Sequence, residues 1–393
     1  MIDLQNPGES LFLFPAALVF LFNLYATIDI IAGTGKMRNL GKINPHQAEG
    51  YPRVSVIVPA CNEAATIEPA LLSLLNMEYD PLEVIVINDR STDRTGEILA
   101  AIKQKYPQLI IHNISELPEG WLGKNHALQQ GALLASGEFL LFTDADIHFE
   151  KSTLARAISL MVSEQIDHLS LIFKNIARGL LLNAMMIDAG GGLFFLFKPW
   201  KVNDPKSRNF IGVGAFNLIR KSVYFEVKGH EQIRMHPIDD IMLGKIIKQS
   251  GFRQECLAGY DFLQVHWYAS PGEMIGGLMK NIFALYNFRV SYVAAAILLI
   301  CLVTILPFWG IFLTAGITRI FCMLSVATRL FSTACGARLT GSTLWTIPFS
   351  LLTPYINIYI TLKAMLKTLA NGGIDWRGTH YPLNRLKENM PIL

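Results

Sequence analysis

Two pairs of acidic residues have the types and the spacing for chemistry on a phosphate-bearing substrate. Asp144 and Asp146 stand two positions apart just after an apolar run, and Asp239 and Asp240 are adjacent. Divalent cations such as Mg²⁺ prefer oxygen ligands, usually one or two carboxylates together with substrate phosphates. A carboxylate can also remove the proton of an attacking hydroxyl. Both pairs have a structural alternative, since a turn or a helix start also favours acidic residues.

Two further motifs offer contacts for a nucleotide. Gly123 and Lys124 begin a predicted helix, where a cation and free backbone N–H groups suit a phosphate. A lysine in that position opposes the helix dipole, which favours a functional role. Asp89 can accept a hydrogen bond from a base N–H. Four neighbouring residues are either ligand contacts or helix caps: Asn62, Glu63, Ser91 and Asp93.

Short apolar runs alternate with amphipathic stretches between residues 53 and about 269, which is typical of βαβ units on a mostly parallel sheet. Ligands bind outside the carboxyl ends of the strands in such folds. The acidic motifs follow predicted strands and are therefore expected to converge. The predicted strands are 54–58, 84–87, 109–111, 139–142 and 169–173, and the predicted helices are 63–76, 95–106, 124–135 and 152–163.

The composition indicates contact with lipid. Hydrophobic residues make up 51% of the 393 positions and charged residues only 17%, against about a quarter in a soluble domain. Residues 11–31 are apolar and long enough to cross a bilayer. Acidic residues precede this run and Lys36, Arg38 and Lys42 follow it. This pattern predicts a retained anchor with the following domain in the cytoplasm.

Three later segments are further membrane candidates: an apolar stretch from about residue 291, residues 320–335 with Arg329, and residues 344–362. Two crossings would keep the basic tail cytoplasmic and leave the Arg329 segment in the interface or re-entrant, whereas three would place the tail outside. Charge bias favours the cytoplasmic tail. Residues 176–200 are either an interfacial helix or a buried helix hairpin.

Charge and cysteine content exclude other classes of protein. The net charge of +3 is too balanced for a nucleic-acid binder. The five cysteines are widely spaced and predict neither a zinc site nor a disulfide framework.

The expected organisation follows these patterns. We predict an anchor at 1–35, a linker at 36–52, a catalytic domain at 53–270, an interfacial segment at 271–290, a membrane region at 291–365 and a polar basic tail at 366–393.

Five motifs in order resemble the family-2 glycosyltransferases with a GT-A fold: Pro59-Ala-Cys-Asn-Glu63, the stretch from Asn88 to Asp93, Gly123-Lys124, Asp144-Ala-Asp146 and Asp239-Asp240. Residues 117–124 and the short membrane region are similar to the branch that glycosylates ceramides, carotenoids and hopanoids. The resemblance implies an α/β fold with a mostly parallel sheet, flanked by transmembrane helices.

The resemblance also implies roles for single residues. Asp89 would bind the nucleobase, Asp144 the ribose or metal, Asp146 a divalent metal (Mg²⁺ or Mn²⁺) and Asp240 would be the catalytic base. His266 is a candidate third metal ligand, against an interfacial role beside Trp267. In processive and ceramide enzymes an arginine precedes this tryptophan, and its absence here weakens both assignments. The wider site set comprises Pro59, Asn62, Glu63, Ser91, Asp93, Gly123, Lys124 and Asp239.

The expected function is the inverting transfer of one hexose from a nucleotide diphosphate sugar, UDP-linked by expectation, to an apolar lipid. The expected partners are that donor, a lipid acceptor and the membrane, without nucleic acid; the oligomeric state is left open. An enzymatic alternative is a polyprenyl-phosphate or processive polysaccharide transferase. A scaffold that binds nucleotide sugar without turnover is the non-enzymatic alternative.

Overall fold

The computed structural model of the protein describes residues 7–45 and 50–388. Residues 1–6, 46–49 and 389–393, parts of the expected anchor, linker and tail, lie outside the described residues. The strands are β1 (Val54–Ala60), β2 (Leu82–Asp89), β3 (Ile110–Ile114), β4 (Phe139–Phe142), β5 (Ile147–Phe149), β6 (His168–Ile172), β7 (Lys174–Asn175), β8 (Asn217–Arg220), β9 (Gln254–Ala258), β10 (Leu263–Val265), β11 (Gly373–Trp376) and β12 (Thr379–Pro382).

The helices alternate with these strands and then continue without them. They are α1 (Pro7–Lys36), α2 (Ile67–Leu75), α3 (Thr95–Lys105), α4 (Gly123–Leu134), α5 (Thr153–Ser163), α6 (Leu180–Phe197), α7 (Lys221–Glu226), α8 (Gly229–Gln232), α9 (Asp239–Gln249), α10 (Pro271–Leu278), α11 (Ile282–Leu285), α12 (Val290–Ile300), α13 (Leu306–Leu313), α14 (Gly316–Thr340), α15 (Thr353–Ala370) and α16 (Leu383–Glu388). Short 3₁₀ segments occur at Leu40–Lys42, Pro199–Lys201 and Leu344–Leu351, and a π-helical segment, Cys301–Ile305, joins α12 to α13.

The chain forms two compact units. The sheet unit contains Met37–Ile176, Pro199–Trp267 and the segment that starts at Thr368. The helical unit contains α1, Ala177–Lys198 and Tyr268–Lys367. The segment after residue 368, expected as a polar tail, is therefore folded as part of the sheet unit.

A seven-stranded sheet in the order β3-β2-β1-β4-β8-β6-β9 forms the core of the sheet unit. β1 is parallel to both β2 and β4, while β8 is antiparallel to β4 and β6. β4 is buried along its whole length and β1 nearly so, as expected for strands covered on both faces. The five predicted strands are present, at slightly shifted bounds. Because β1, β2 and β4 run parallel, the polar residues that follow them leave the sheet at one edge.

A three-stranded sheet in the order β5-β10-β7 follows Asp146 directly. β5 pairs with β10 antiparallel, with Ile147 opposite Val265. Asp146 directly precedes Ile147, and His266 directly follows Val265. If this register is continued by one residue, His266 stands opposite Asp146, and His266 is exposed.

Among the described residues, four helices of the helical unit are long and apolar enough to cross a membrane: Phe12–Lys36, Leu180–Lys201, Val290–Leu313 and Gly316–Thr340. Two expectations are corrected. Residues 344–362 do not form one helix, because a 3₁₀ segment ends at Leu351 before α15 begins, whereas the Arg329 segment lies inside the long helix α14. Residues 180–197 form the single helix α6 and not a helix hairpin.

Candidate active site

The ammonium group of Lys124 joins the two acidic motifs. Its Nζ lies 2.9 Å from Oδ1 of Asp144, which follows β4, and 3.3 Å from Oδ1 of Asp239, which begins α9. Burial opposes its charge, but the carboxylates of Asp144, Asp239 and Asp240 raise the pKa of Lys124 well above its ordinary value. An ammonium group has three N–H donors. The two ion pairs can use two of these donors.

The first turn of α4 is held by the loop that leads to α9. The side-chain amide of Asn125 donates hydrogen bonds to the carbonyls of Ile233 (2.8 Å) and His236 (3.0 Å). The backbone N–H of Leu122 donates to the carbonyl of Arg234 at 2.8 Å. These bonds fix the position of Lys124 relative to Asp239 although more than a hundred residues separate them in sequence.

Asp240 lies against a glycine-containing loop that precedes β8. The N–H of Gly214 donates to Oδ2 of Asp240 at 2.7 Å, and the carbonyl of Gly214 accepts from the N–H of Asp144 at 3.1 Å. A Cβ at position 214 would lie 2.8 Å from Oδ2 of Asp144 and 3.3 Å from Oδ2 of Asp240. The two carboxylates therefore face the same small space. Burial, together with the neighbouring carboxylate of Asp239, raises the pKa of Asp240 to about 6.

His230 completes the surroundings of Asp239 without carrying charge. Its Nε2 lies 3.9 Å from Oδ2 of Asp239. Burial, with a contribution from Lys124, lowers the pKa of His230 to about 3. The ring is neutral near pH 7, so Lys124 is the cation that compensates Asp239.

Asp89 is buried at the end of β2 and bonded on both carboxylate oxygens by Arg90, with Nε–Oδ1 at 2.7 Å and Nη2–Oδ2 at 2.9 Å. Gly123 packs directly onto this pair, because a Cβ there would lie 2.5 Å from Oδ2 of Asp89 and 2.7 Å from Nη2 of Arg90. Gly123 and Lys124 are adjacent. Asp89 on one side, and Asp144 and Asp239 on the other, therefore contact two adjacent residues at the start of α4.

The loops after β1 and β2 bind each other through residues that the sequence left as either ligand contacts or helix caps. The N–H of Asn62 donates to Oγ of Ser91 (3.0 Å), and Oδ1 of Asn62 accepts from the N–H of Thr92 (2.8 Å). The carboxylate of Asp93 accepts from the N–H groups of Thr95 (3.0 Å) and Ala64 (3.1 Å). These are the contacts of turns and helix starts. Asn62 and Arg90 both have positive φ, 56° and 55°, a strained conformation found at functional loops.

Asp146 and Glu63 are carboxyl groups whose charged forms are disfavoured by burial. Burial, then the carboxylates of Asp144 and Glu63, raises the pKa of Asp146 to about 7. Burial also raises the pKa of Glu63, which Arg377 partly offsets. Within residues 7–45 and 50–388, no three His, Cys, Asp or Glu side chains are grouped closely enough to hold a metal ion by themselves. The ring of His266 stacks edge-on against His148, with centroids 6.5 Å apart.

Comparison with known proteins identifies the family of this domain. Residues 55–227 match the family model described as glycosyl transferase family 2. This segment is a family-2 glycosyltransferase domain. The match begins in β1 and ends after α7, so it includes Asp89, Lys124 and both acids of the Asp144 motif.

Two curated relatives are similar in sequence to parts of this chain. "Probable glycosyltransferase YdaM" of Bacillus subtilis is 35% identical over 150 residues, which are 37% of this chain and 35% of that protein. "4,4'-diaponeurosporenoate glycosyltransferase" of Staphylococcus haemolyticus is 26% identical over 246 residues, 60% of this chain and 62% of that protein. The matched segments cover less than two thirds of either relative.

A solved structure shows that the glycosyltransferase domain has the GT-A fold. The mannosyltransferase PcManGT from Pyrobaculum calidifontis, in complex with GDP-Man and Mn²⁺, aligns with a TM-score of 0.54 over 91% of this chain and 98% of that chain. The two sequences are 19% identical.

The candidate site contains residues that sequence reasoning missed: Arg90, Asn125, Gly212 and Gly214. The two glycines had a signal in the sequence Gly212-Val-Gly214, since glycine allows close approach of backbone and neighbouring groups. A Cβ at 212 would lie 1.8 Å from the carbonyl oxygen of Asp240. Arg90 and Asn125 had no comparable signal, because their roles depend on partners distant in sequence.

Proposed function

We propose that this protein is a membrane-anchored, inverting glycosyltransferase that moves one hexose from a nucleotide diphosphate sugar to an apolar lipid. The observation that carries the proposal is that Lys124 contacts Asp144 and Asp239 while the adjacent Gly123 packs on Asp89. Asp89, Lys124 and Asp144 lie in the matched segment 55–227, and Asp240 follows it in the chain. Each of these groups suits one part of the reaction.

The donor half of the site would position the leaving group. Asp89 would accept a base N–H, since a carboxylate bonded by Arg90 keeps further lone pairs. The free N–H donor of Lys124 would bind the diphosphate. Positive charge held in place by Asp144 and Asp239 would stabilise the negative charge that gathers on the departing diphosphate, commonly the largest contribution to catalysis.

Asp144 and Asp146 fit a divalent cation by the chemistry of their donors. Both present hard oxygen ligands, and the raised pKa of Asp146 shows that its ionised form is poorly compensated by the protein alone. The two carboxylates would be two of the metal's ligands, and the diphosphate would supply others. His266 stays a candidate third protein ligand. The metal would supply further charge neutralisation at the diphosphate.

Asp240 would act as the general base on the acceptor hydroxyl. Its pKa of about 6 keeps it largely ionised near pH 7 while leaving it basic enough to take a proton. The Gly214 N–H holds Oδ2, which orients the carboxylate. Attack opposite the leaving diphosphate inverts the anomeric carbon in one displacement.

An apolar acceptor is supported by the relative named for diaponeurosporenoate and by the four long apolar helices. The positive residues after α1 support a cytoplasmic catalytic domain. If the acceptor group is a carboxylate, as in that relative's named acceptor, little base catalysis is required from Asp240.

The test is transfer by the full-length protein in nanodiscs. UDP-glucose, UDP-N-acetylglucosamine and GDP-mannose are supplied with Mg²⁺ or Mn²⁺ and an extract of membrane lipids, and the products are analysed by mass spectrometry. We expect one lipid species heavier by one sugar, absent with Asp146→Asn and with chelator. Long sugar polymers would refute single transfer, and the absence of both transfer and donor hydrolysis would favour a binding scaffold.

A further inference from the structure

The segment after the last long helix forms a β-hairpin with an unfavourable residue in its turn. β11 and β12 pair with Trp376 opposite Thr379, so Arg377 and Gly378 form a two-residue loop. Both have positive φ, 49° and 78°. Such loops favour Asn or Gly at the first position, since a long side chain is strained there. An arginine at this position therefore suggests a function for its side chain.

The hairpin contacts three elements of the donor site. The guanidinium of Arg377 forms an ion pair with Glu63 and donates to the carbonyl of Asn62 at 3.3 Å. Thr379 Oγ1 accepts from Nη1 of Arg90 at 3.2 Å.

The buried residue Tyr381 makes the third contact. Its hydroxyl accepts the backbone N–H of Gly123 at 3.2 Å. The contacts of the hairpin thus end at three places: the loop after β1, the residue Arg90 that binds Asp89, and the first residue of α4. These are the places where the donor half of the proposed site is assembled.

We propose that the hairpin Gly373–Pro382 is a fixed wall of the donor nucleotide subsite, and that Arg377 and Tyr381 are positioning residues for donor binding. This inference rests on the proposed function and adds a part of the chain outside the matched residues 55–227. Arg377 holds the β1 loop through Glu63, and Tyr381 holds the start of α4, on which Lys124 is carried.

A hairpin of this kind could instead be a plug that has to leave before the donor binds. The contacts favour the wall. The hairpin bonds Glu63, Arg90 and Gly123, whereas the carboxylates of Asp89, Asp144 and Asp240 are bonded by Arg90, Lys124 and Gly214. The groups that would touch the donor are thus held by residues of the central site. The two possibilities predict opposite changes in donor affinity.

The test compares Arg377→Asn with Tyr381→Phe in the full-length protein. Asparagine suits the turn better than arginine and removes only the guanidinium contacts. Phenylalanine keeps the buried ring and removes only the acceptor of the Gly123 N–H. We expect the donor KM and the dissociation constant for UDP or GDP, whichever matches the donor, to rise about fivefold in each variant, the effect of one lost hydrogen bond. The kcat stays within about twofold.

Controls separate donor positioning from general folding. Arg385→Gln breaks an exposed pair with Glu119 in the same C-terminal segment and should leave donor KM unchanged. Arg377→Lys restores a cation near Glu63 and should recover part of the affinity. The melting temperature in detergent should stay constant in all four variants.

The outcomes distinguish this inference from the proposed function. Unchanged donor KM in both variants, or tighter binding as a plug would produce, overturns the wall while wild-type transfer stands. A wild-type protein that neither binds a nucleoside diphosphate nor turns over a donor overturns the proposed function itself.

Discussion

At the scale of single residues, charge compensation decides what each acid can do. Asp144 and Asp239 share the ammonium group of Lys124. The carboxylate of Asp240 accepts the backbone N–H of Gly214 and has a raised pKa. Burial raises the pKa of Asp146, and neighbouring carboxylates raise it further. A carboxylate with a pKa near 6 can take a proton. The adjacent aspartates at 239 and 240 thus have different surroundings.

Replacing Asp240 by Asn should abolish the base and its titration. We expect kcat with a hydroxyl acceptor to fall by about 100-fold or more, with donor KM little changed. Because the base works only when ionised, wild-type kcat should fall as pH drops below about 6, and this limb should vanish from the residual activity of the variant. Steady-state rates between pH 5 and 8 check both points.

The neighbouring Asp239→Asn is the matched comparison for that experiment. It removes a partner of Lys124 and should act on donor KM. The acid limb should persist but move to lower pH, because the carboxylate of Asp239 contributes to the raised pKa of Asp240. Unchanged turnover of a hydroxyl acceptor by the Asp240 variant would exclude Asp240 as the base.

Gly214→Ala should damage the site more than the fold. The added methyl would approach the carboxylates of Asp144 and Asp240 and push them apart. We expect kcat to fall by about tenfold or more, since small displacements of catalytic groups are costly, with a small change in melting temperature. Gly96→Ala in α3 is the control, because its Cβ would meet only Asn88 at 3.6 Å. Equal activities of the two variants would contradict the displacement of these carboxylates by the added methyl group.

At the scale of elements, an ion pair connects two helices of the helical unit. Nη2 of Arg329 on α14 lies 2.9 Å from Oδ1 of Asp188 on α6 and also donates to the carbonyl of Ser350 at 3.0 Å. Asn357 on α15 donates to the other oxygen of Asp188 at 2.8 Å. Charged groups in a membrane region are stable only when paired in this way. The polar residues that interrupt these segments in sequence are therefore structural contacts between helices.

Breaking this pair on one side should be worse than removing it entirely. Arg329→Leu leaves Asp188 without its cation and should destabilise the helical unit by about 3 kcal/mol, whereas removing both charges recovers much of the loss. Melting temperatures in detergent of Arg329→Leu, Asp188→Leu and the double variant give the coupling. Arg338→Leu, exposed in the last turn of α14, is the control. Additive losses in the double variant would argue against a paired contact.

At the scale of the whole molecule, chain connections limit how often the protein crosses the membrane. A compact, polar unit lies on one side of a bilayer, because its loops and sheet edges cannot be buried in lipid. Both ends of α6 lead into the sheet unit, at Ile176 and Pro199. Although α6 is long enough to span, we infer that it does not cross. The part from Tyr268 to Lys367 also starts and ends at the sheet unit, so we expect it to cross an even number of times.

Three crossings satisfy these limits: α1, the continuous segment Val290–Leu313, and α14. Single cysteines in a cysteine-free background test this arrangement with an impermeant maleimide on intact cells. Ala315, between the last two crossings, should react from outside. Lys201 and Asn371 should react only after permeabilisation, since both belong to the sheet unit. Labelling of Lys201 from outside would mean that α6 crosses.

The sequence alone determined the local features. Alternating apolar runs predicted the five strands, and the order of Asp89, Gly123-Lys124, Asp144-Ala-Asp146 and Asp239-Asp240 pointed to the glycosyltransferase family. Such features depend on neighbours a few residues away, which the sequence displays directly. The short antiparallel strand β8 carried no such pattern, and neither did the break between Leu351 and α15.

Only the tertiary structure decided which groups form ion pairs and hydrogen bonds with one another. The bonds of Lys124 to both acidic motifs, of Gly214 to Asp144 and Asp240, and of Tyr381 to Gly123 join residues far apart in the chain. Hydrogen bonds and Coulomb interactions depend on distances of about 3 Å, and those distances arise only when the sheet brings separate loops together. For the same reason the sequence predicted a polar tail at the C-terminal segment, although its hairpin contacts Glu63, Arg90 and Gly123.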